Sequence, residues 1–265
     1  MLDVLRTRLS QKHRTMRYPD GPPPELPERF AGRPVVAAGC EPGCSRCARV
    51  CPTDALRPSA EGLRLDTGRC IFCRACEPAC PRGAIAFGRD HRLAAARREA
   101  LIVGPGDPPS AAARHALAAR HALAARLFRR SFKLRQVSAG GCNACEADTN
   151  VLGTLAWDMG RFGIQFVASP RHADGLLVTG PVTANMRLAL EKTYAAVPTP
   201  KVVVAVGACA VSGGAYAGHP EQSDGAAAVV PVDLYIPGCP PHPLTILDGL
   251  LRFLGRIPDA GQCLK

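Results

Sequence analysis

The run Cys70-x2-Cys73-x2-Cys76-x3-Cys80-Pro81 constrains this chain more than any other feature. Three thiols at two-residue intervals, and a fourth held ahead of a proline, leave the backbone little freedom except to wrap a compact inorganic centre. A second group, Cys40, Cys44, Cys47 and Cys51-Pro52, precedes it and ends in the same way, so residues Cys40 to Phe87 read as an internal duplication. Four further cysteines, Cys142, Cys145, Cys209 and Cys239, stand in Gly- or Pro-containing segments, and Cys263 is the thirteenth, an incidental thiol in a polar tail. No basic n-region, apolar h-region or cleavage pattern follows Met1. The cysteines therefore read as ligands in a reducing compartment and not as disulfides.

The second run has every spacing of bacterial two-cluster ferredoxins. Its three close thiolates hold three corners of one [4Fe-4S] cube, and the cysteine ahead of proline turns to the other cube. This assigns Cys70, Cys73, Cys76 and Cys51 to one cluster, and Cys40, Cys44, Cys47 and Cys80 to the other. Cys40 and Cys44 depart from the pattern, being separated by Glu41-Pro42-Gly43 where two residues are usual. Two four-thiolate zinc sites built from the same residues are the alternative, and zinc gives no reason for the crossed Cys-Pro endings.

The 265 residues suggest two domains, and a hydrophobic share of 47% is enough for a core in each. Met1 to Arg17 reads as a short basic helix with apolar Leu2, Val4, Leu5 and Leu9, either lying on a membrane surface or else an N-terminal segment packed on a partner or frayed. Six prolines between Tyr18 and Pro34 favour an extended tether with few hydrogen bonds. Residues 35–90 form the cysteine-rich domain, and residues 91–131 an Ala- and Arg-rich helical linker. The linker's His115 and His121 recur six residues apart and do not share a helix face, so the segment reads as a solvated or acidic-partner-facing helix and not as a metal site.

Residues 132–256 change character, and 257–265 are a tail. Short β-branched runs at Lys133 to Val137, Ile164 to Val167, Gly175 to Val178, Lys201 to Val206 and Asp233 to Ile236 are separated mostly by connections long enough for a crossover helix. The fold class that follows is α/β: a small ferredoxin domain joined to a flavodoxin-like parallel sheet. Cys142 and Cys145 follow the first strand, Cys209 the fourth and Cys239 the fifth. Open α/β sheets bind ligands at the carboxyl ends of their strands, so these cysteines converge on one edge and read as the ligands of a third cluster. Four buried structural cysteines are the alternative. Glu146, beside a ligand, reads either as a proton relay or as a carboxylate at its own helix N-terminus. His242 reads as a loop residue near the last ligand.

The residues also carry a family resemblance across most of the chain. Tyr18-Pro19 and Leu26-Pro27-Glu28-Arg29-Phe30-x-Gly32-Arg33-Pro34, leading into the eight cysteines, resemble the two-cluster ferredoxin subunit of complex I and formate hydrogenlyase. Gly141-Cys142-Asn143-Ala144-Cys145-Glu146, Thr179-Gly180-Pro181-Val182-Thr183, Gly207-Ala208-Cys209 and Pro237-Gly238-Cys239-Pro240-Pro241 resemble the 20 kDa small subunit of the same superfamily. The separated Cys142 and Cys145 side with membrane-bound group 4 [NiFe]-hydrogenases, although Ala144 replaces their glycine; complex I subunits have adjacent cysteines there.

This resemblance implies a fused electron-transfer subunit with three [4Fe-4S] clusters and no catalytic centre of its own. Its partners would be a [NiFe]-hydrogenase-like large subunit, membrane-arm subunits, and an electron-donating dehydrogenase or ferredoxin. Its place would be peripheral, on the cytoplasmic face of the inner membrane. A complex I-like subunit delivering electrons to quinone, and a hydrogenase-related complex lacking nickel, are the alternatives.

The 33 basic against 22 acidic residues give a net charge of +11, which invites a nucleic-acid reading. With 5% aromatic residues there is no stacking platform, and that reading is set aside. Three cubes of roughly two negative charges each bring the loaded chain to about +5. The excess lies in the basic helix and the linker.

Overall fold

The computed structural model describes residues 2–12, 14–38, 40, 44–59, 62–107 and 126–257. Glu41 to Gly43, the repeat carrying His115 and His121, and Cys263 lie outside the described residues.

The cysteine-rich half is built from short strands because its core is small. Strand β1 (Pro34–Val36) pairs antiparallel with β4 (Ile85–Phe87), and β2 (Leu56–Ser59) with β3 (Gly62–Asp66). On β3 the alternation is regular: Leu63 and Leu65 point inward and Arg64 outward. Two single-turn helices, α2 (Arg46–Arg49) and α3 (Cys76–Ala79), carry the repeated cysteines. Val36, Ala55, Leu56, Leu63, Leu65 and Ile85 form one apolar cluster with Cys47, Cys70 and Cys76 inside it.

Residues 91–107, expected to open a helical linker, take another course. Ala95 bridges to Tyr235, a 3-10 turn spans Arg98–Leu101, and β5 (Ile102–Val103) adds to the open edge of β3. Leu101 and Val103 are apolar enough to be drawn into the two cores flanking this segment, and that outweighs the helix propensity of the alanines.

The second half contains β6 (Phe132–Ser138), β7 (Ile164–Phe166), β8 (Gly175–Thr179), β9 (Val202–Val206) and β10 (Leu234–Ile236), all parallel, in the order β10-β9-β8-β6-β7. Counted within this half the order is 5-4-3-1-2, the flavodoxin-like arrangement, whose direction reverses between β6 and β8. Each residue of β8 and β9 is buried, as continuous apolar strands of a sheet covered on both faces must be. Val202, Val204 and Val206 face one core with Leu177 and Ile236, whereas Val203 and Ala205 face the other with Leu176 and Val178. Helices α4 (Ala144–Val151), α5 (Ala184–Ala196), α6 (Ala208–Ser212) and α7 (Pro243–Phe253) complete the layers. In α7, Leu244, Ile246, Leu247, Leu250 and Leu251 are fully buried, each worth about 1.5–3 kcal/mol.

The proline-rich segment is a strap held at several points, which differs from the free tether its composition suggests. The Met16 amide donates to the Ala156 carbonyl (3.0 Å), Leu26 is buried, and the Tyr18 hydroxyl donates to the buried carboxylate of Asp248 on α7. Asp248 also receives the Arg252 guanidinium at 2.9 Å. Proline fixes the backbone of such a strap, and side chains between the prolines supply the anchors. Ahead of it, α1 (Leu2–Gln11) has no buried residue.

Candidate metal centres

In the first half, local turns fix where each sulfur stands. Cys47 lies in α2 and Cys51 just past its end; Cys70 closes the turn after β3, Cys76 begins α3 and Cys80 caps it. Cys51, Cys70, Cys73 and Cys76 line one pocket whose walls are Ala55, Leu56, Leu65, Ile71 and Phe87. Burial pushes the Cys70 thiol up to about 12, and Cys76, Cys51 and Cys73 add like-charge repulsion. Cys76 is pushed up to about 11 by burial, and Cys51, Cys73 and Cys47 add like-charge repulsion. The Cys47 thiol is raised by burial and faces Cys40 and Cys80. Cys51 thus lines the same pocket as the second run, and Cys80 lies beside Cys47 of the first. Cys44 is half-buried just ahead of α2, and Cys40 packs against the same apolar cluster as Cys47.

Backbone amides are aimed at these sulfurs. Ala55 N–H donates to Cys51 Sγ at 3.3 Å, Phe72 N–H to Cys70 Sγ at 3.2 Å and Ala84 N–H to Cys80 Sγ at 3.2 Å. Such bonds stabilise thiolate over thiol and raise the potential of any cluster the sulfur holds.

The third constellation lies at the carboxyl ends of β6, β9 and β10. Burial raises the Cys145 thiol far above the ordinary range, followed by repulsion from Glu146, Cys209, Cys239 and Cys142. Burial also pushes Cys209 up to about 11, with Cys239 and Cys142 beside it, and raises Cys239, which faces Cys142. All four sulfurs therefore share one neighbourhood, with Cys142 and Cys239 exposed and Cys145 and Cys209 half-buried. Gly207 explains how three loops meet so closely. Its φ is +91°, and a Cβ there would fall 2.4 Å from Cys145 Sγ.

Glu146 is buried, and its Oε1 accepts hydrogen bonds from Ser138 Oγ and Thr179 Oγ1, both at 2.6 Å. The two hydroxyls come from the ends of β6 and β8, the strands flanking the point where sheet order reverses. This oxygen is therefore occupied by the strand ends, which sequence reasoning missed; Thr179, opening the Thr179-Gly180-Pro181 segment, was its only local signal. His242 caps α7: its Nδ1 accepts from Leu244 N–H at 3.1 Å, and its ring lies edge-on to Phe30 and Trp157.

The donor chemistry fits iron–sulfur clusters. Each group offers free thiols, and Cys51, Cys70, Cys73 and Cys76 stand on apolar walls.

Comparison with known proteins agrees with this chemistry. Residues 39–84 match the 4Fe-4S dicluster domain, which implies at least two [4Fe-4S] clusters. Residues 142–253 match the family of the NADH ubiquinone oxidoreductase, 20 Kd subunit. An NADH-quinone oxidoreductase subunit from Heliobacterium modesticaldum is 38% identical over 125 residues, 47% of this chain and 71% of that protein. The chain belongs to the NADH ubiquinone oxidoreductase 20 Kd subunit family. Within this family's reach, a probable membrane-bound hydrogenase subunit of Pyrococcus furiosus is 40% identical over 121 residues, 46% of this chain and 72% of the relative. Formate hydrogenlyase subunit 7 of Escherichia coli is 39% identical over 160 residues, 59% of this chain and 63% of the relative. Among the described residues, no helix is long and apolar enough to cross a membrane.

Proposed function

We propose that this chain is the iron–sulfur electron-transfer subunit of a membrane-associated hydrogenase complex of the formate hydrogenlyase type. It passes electrons through three [4Fe-4S] clusters to or from a [NiFe] large subunit. Membrane-arm subunits and an electron-donating dehydrogenase or ferredoxin complete its partners, and it lies peripherally on the cytoplasmic face of the inner membrane. The observation that carries this reading is the meeting of Cys142, Cys145, Cys209 and Cys239 at one sheet edge, with Cys142 and Cys239 exposed.

Bound there, the clusters supply one-electron transfer; binding, orientation and proton handling fall to the chain. Cys40, Cys44, Cys47 and Cys80 hold the first cluster, Cys51, Cys70, Cys73 and Cys76 the second, and Cys142, Cys145, Cys209 and Cys239 the third. Amides of Ala55, Phe72 and Ala84 stabilise the sulfurs they face. The apolar walls around Cys70 and Cys76 keep water away. Glu146, held by Ser138 and Thr179, is the candidate proton relay beside the third site. In this reading turnover belongs to the large subunit.

A second reading, delivery of electrons to quinone, is favoured by the NADH-quinone oxidoreductase relatives. The separation of Cys142 and Cys145 favours the hydrogenase. Cys239→Ser tests the proposal. One electron paramagnetic resonance signal and partner-dependent hydrogen turnover are expected to disappear while both ferredoxin signals remain. Retained turnover with an unchanged spectrum would remove Cys239 from the ligands and the third site from the pathway.

A further inference from the structure

Helix α1 buries none of its residues, although the segment that follows it is anchored. Leu2, Leu5 and Leu9 recur at helical spacing along one stripe and are 76%, 55% and 77% exposed. Arg6 borders the stripe on one side and Arg8 on the other, where long cationic side chains can lay their methylenes along apolar surface and keep the charge outward. The segment after the helix is stitched to the turn that follows α4. Thr15 Oγ1 donates to the Leu155 carbonyl at 2.9 Å, and the Arg161 guanidinium donates to the Met16 carbonyl at 2.7 Å and the Tyr18 carbonyl at 2.5 Å.

Between the helix and that turn lies a groove of about 460 Å³. Arg8, Lys12, Arg14 and Arg161 line it against a single carboxylate, Asp158, and Leu155, 66% exposed, adds apolar surface. Four cations around an open groove, next to an uncovered leucine stripe, match one kind of surface in both charge and polarity: the headgroup layer of a bilayer containing anionic lipid.

We propose that α1 and this groove form a membrane-surface site. The Leu2, Leu5 and Leu9 stripe enters the headgroup–acyl boundary, and Lys12, Arg14 and their neighbours take the phosphate of an anionic phospholipid. The site rests on the peripheral membrane contact proposed above and names the surface that makes it. It places the chain against the bilayer directly, independent of the membrane-arm subunits.

The test is co-sedimentation of the cluster-loaded full chain with vesicles of phosphatidylcholine alone or mixed with phosphatidylglycerol, with the cluster signals read on the same samples. Partition into the mixed vesicles is expected to exceed that into phosphatidylcholine by at least about tenfold, and to fall as salt rises. K12E/R14E is expected to abolish the preference for phosphatidylglycerol, and L5E/L9E to abolish binding to both vesicles. All four side chains are outside the core, so the cluster signals should persist. Equal partition into the two vesicle types, wild-type partition by K12E/R14E, or no binding to either would overturn the site; the last result would assign α1 to a protein partner. Any of these with intact cluster signals leaves the electron-transfer reading standing, whereas missing clusters count against that reading and not against this site.

Discussion

The Ser212 hydroxyl donates a hydrogen bond to the Gly68 carbonyl at 2.9 Å, across 144 residues of sequence. Gly68 belongs to the turn that ends in Cys70, and Ser212 ends α6, which carries Cys209. The two halves of the molecule therefore touch where two candidate ligands, Cys70 of the ferredoxin half and Cys209 of the third site, each lie within three residues of the contact. Gly68 allows this approach, since a Cβ there would fall 2.8 Å from Val211. Asp66 braces the turn from beneath, accepting the Gly68 amide at 2.9 Å and both terminal nitrogens of Arg98 at 2.8 and 2.7 Å. The turn that leads to Cys70 is thereby held against the helix that carries Cys209. Ser212→Ala should slow reduction of the third cluster by the ferredoxin clusters, seen by rapid freeze-quench spectroscopy, and cost about 1 kcal/mol of stability. Ser212→Thr, which restores the hydroxyl, should recover most of the rate; a Ser212→Ala variant with wild-type transfer would show that the contact does not set the separation.

Gly207→Ala should cost the third cluster selectively. The added methyl would meet Cys145 Sγ at 2.4 Å on a backbone with φ +91° that alanine rarely adopts. Iron content should fall by about four per chain, with both ferredoxin signals retained. Full iron content would mean that Cys145 can move without losing its place in the site.

Tyr18→Phe should loosen the strap. The hydroxyl donates to Asp248, whose carboxylate is 1% exposed and retains the Arg252 guanidinium as a donor when the hydroxyl goes. A loss of about 1–3 kcal/mol follows, read as a lower denaturant midpoint. An unchanged midpoint would mean that the strap's backbone contacts suffice.

His91 makes the strap's seat sensitive to acid. Burial lowers its pKa below 6.5, with Asp248 and Asp90 opposing, and its Nε2, 3.8 Å from Asp248 Oδ1, makes no hydrogen bond. The folded chain therefore holds this proton less tightly than the unfolded chain. Above pH 6.5 the difference contributes nothing; as pH falls below 6.5 the unfolded state is protonated first and stability drops, levelling off once pH passes the lowered folded value. His91→Asn should flatten that part of the profile of unfolding free energy against pH. A slope as steep as wild type would place the titration elsewhere.

How much of this was legible in the sequence depends on the range of the contact. The five strands of the second half lie within a residue or two of the β-branched runs, because each run is bounded by residues that end a strand and is too apolar to be left in water. The neighbourhood of Cys51 with Cys70, Cys73 and Cys76 follows from spacing, since proline after the last cysteine of each run turns it outward. The Glu146 hydroxyls, the Tyr18–Asp248 bond and the Ser212–Gly68 bond were not legible. Each joins a residue ordinary in its own segment to another fixed only by tertiary packing. The course of residues 91–107 was hidden for a related reason: alanine and arginine favour a helix locally, and the apolar Leu101 and Val103 are claimed by two cores that only the folded chain brings together.

The central claim is three clusters in one chain, and iron and acid-labile sulfide quantitation on anaerobically purified protein, with electron paramagnetic resonance on the same sample, tests it most directly. The account predicts about twelve iron and about twelve sulfide per chain, with three distinguishable reduced signals. About eight iron and two signals would contradict the third site, and zinc in place of iron would contradict the account as a whole.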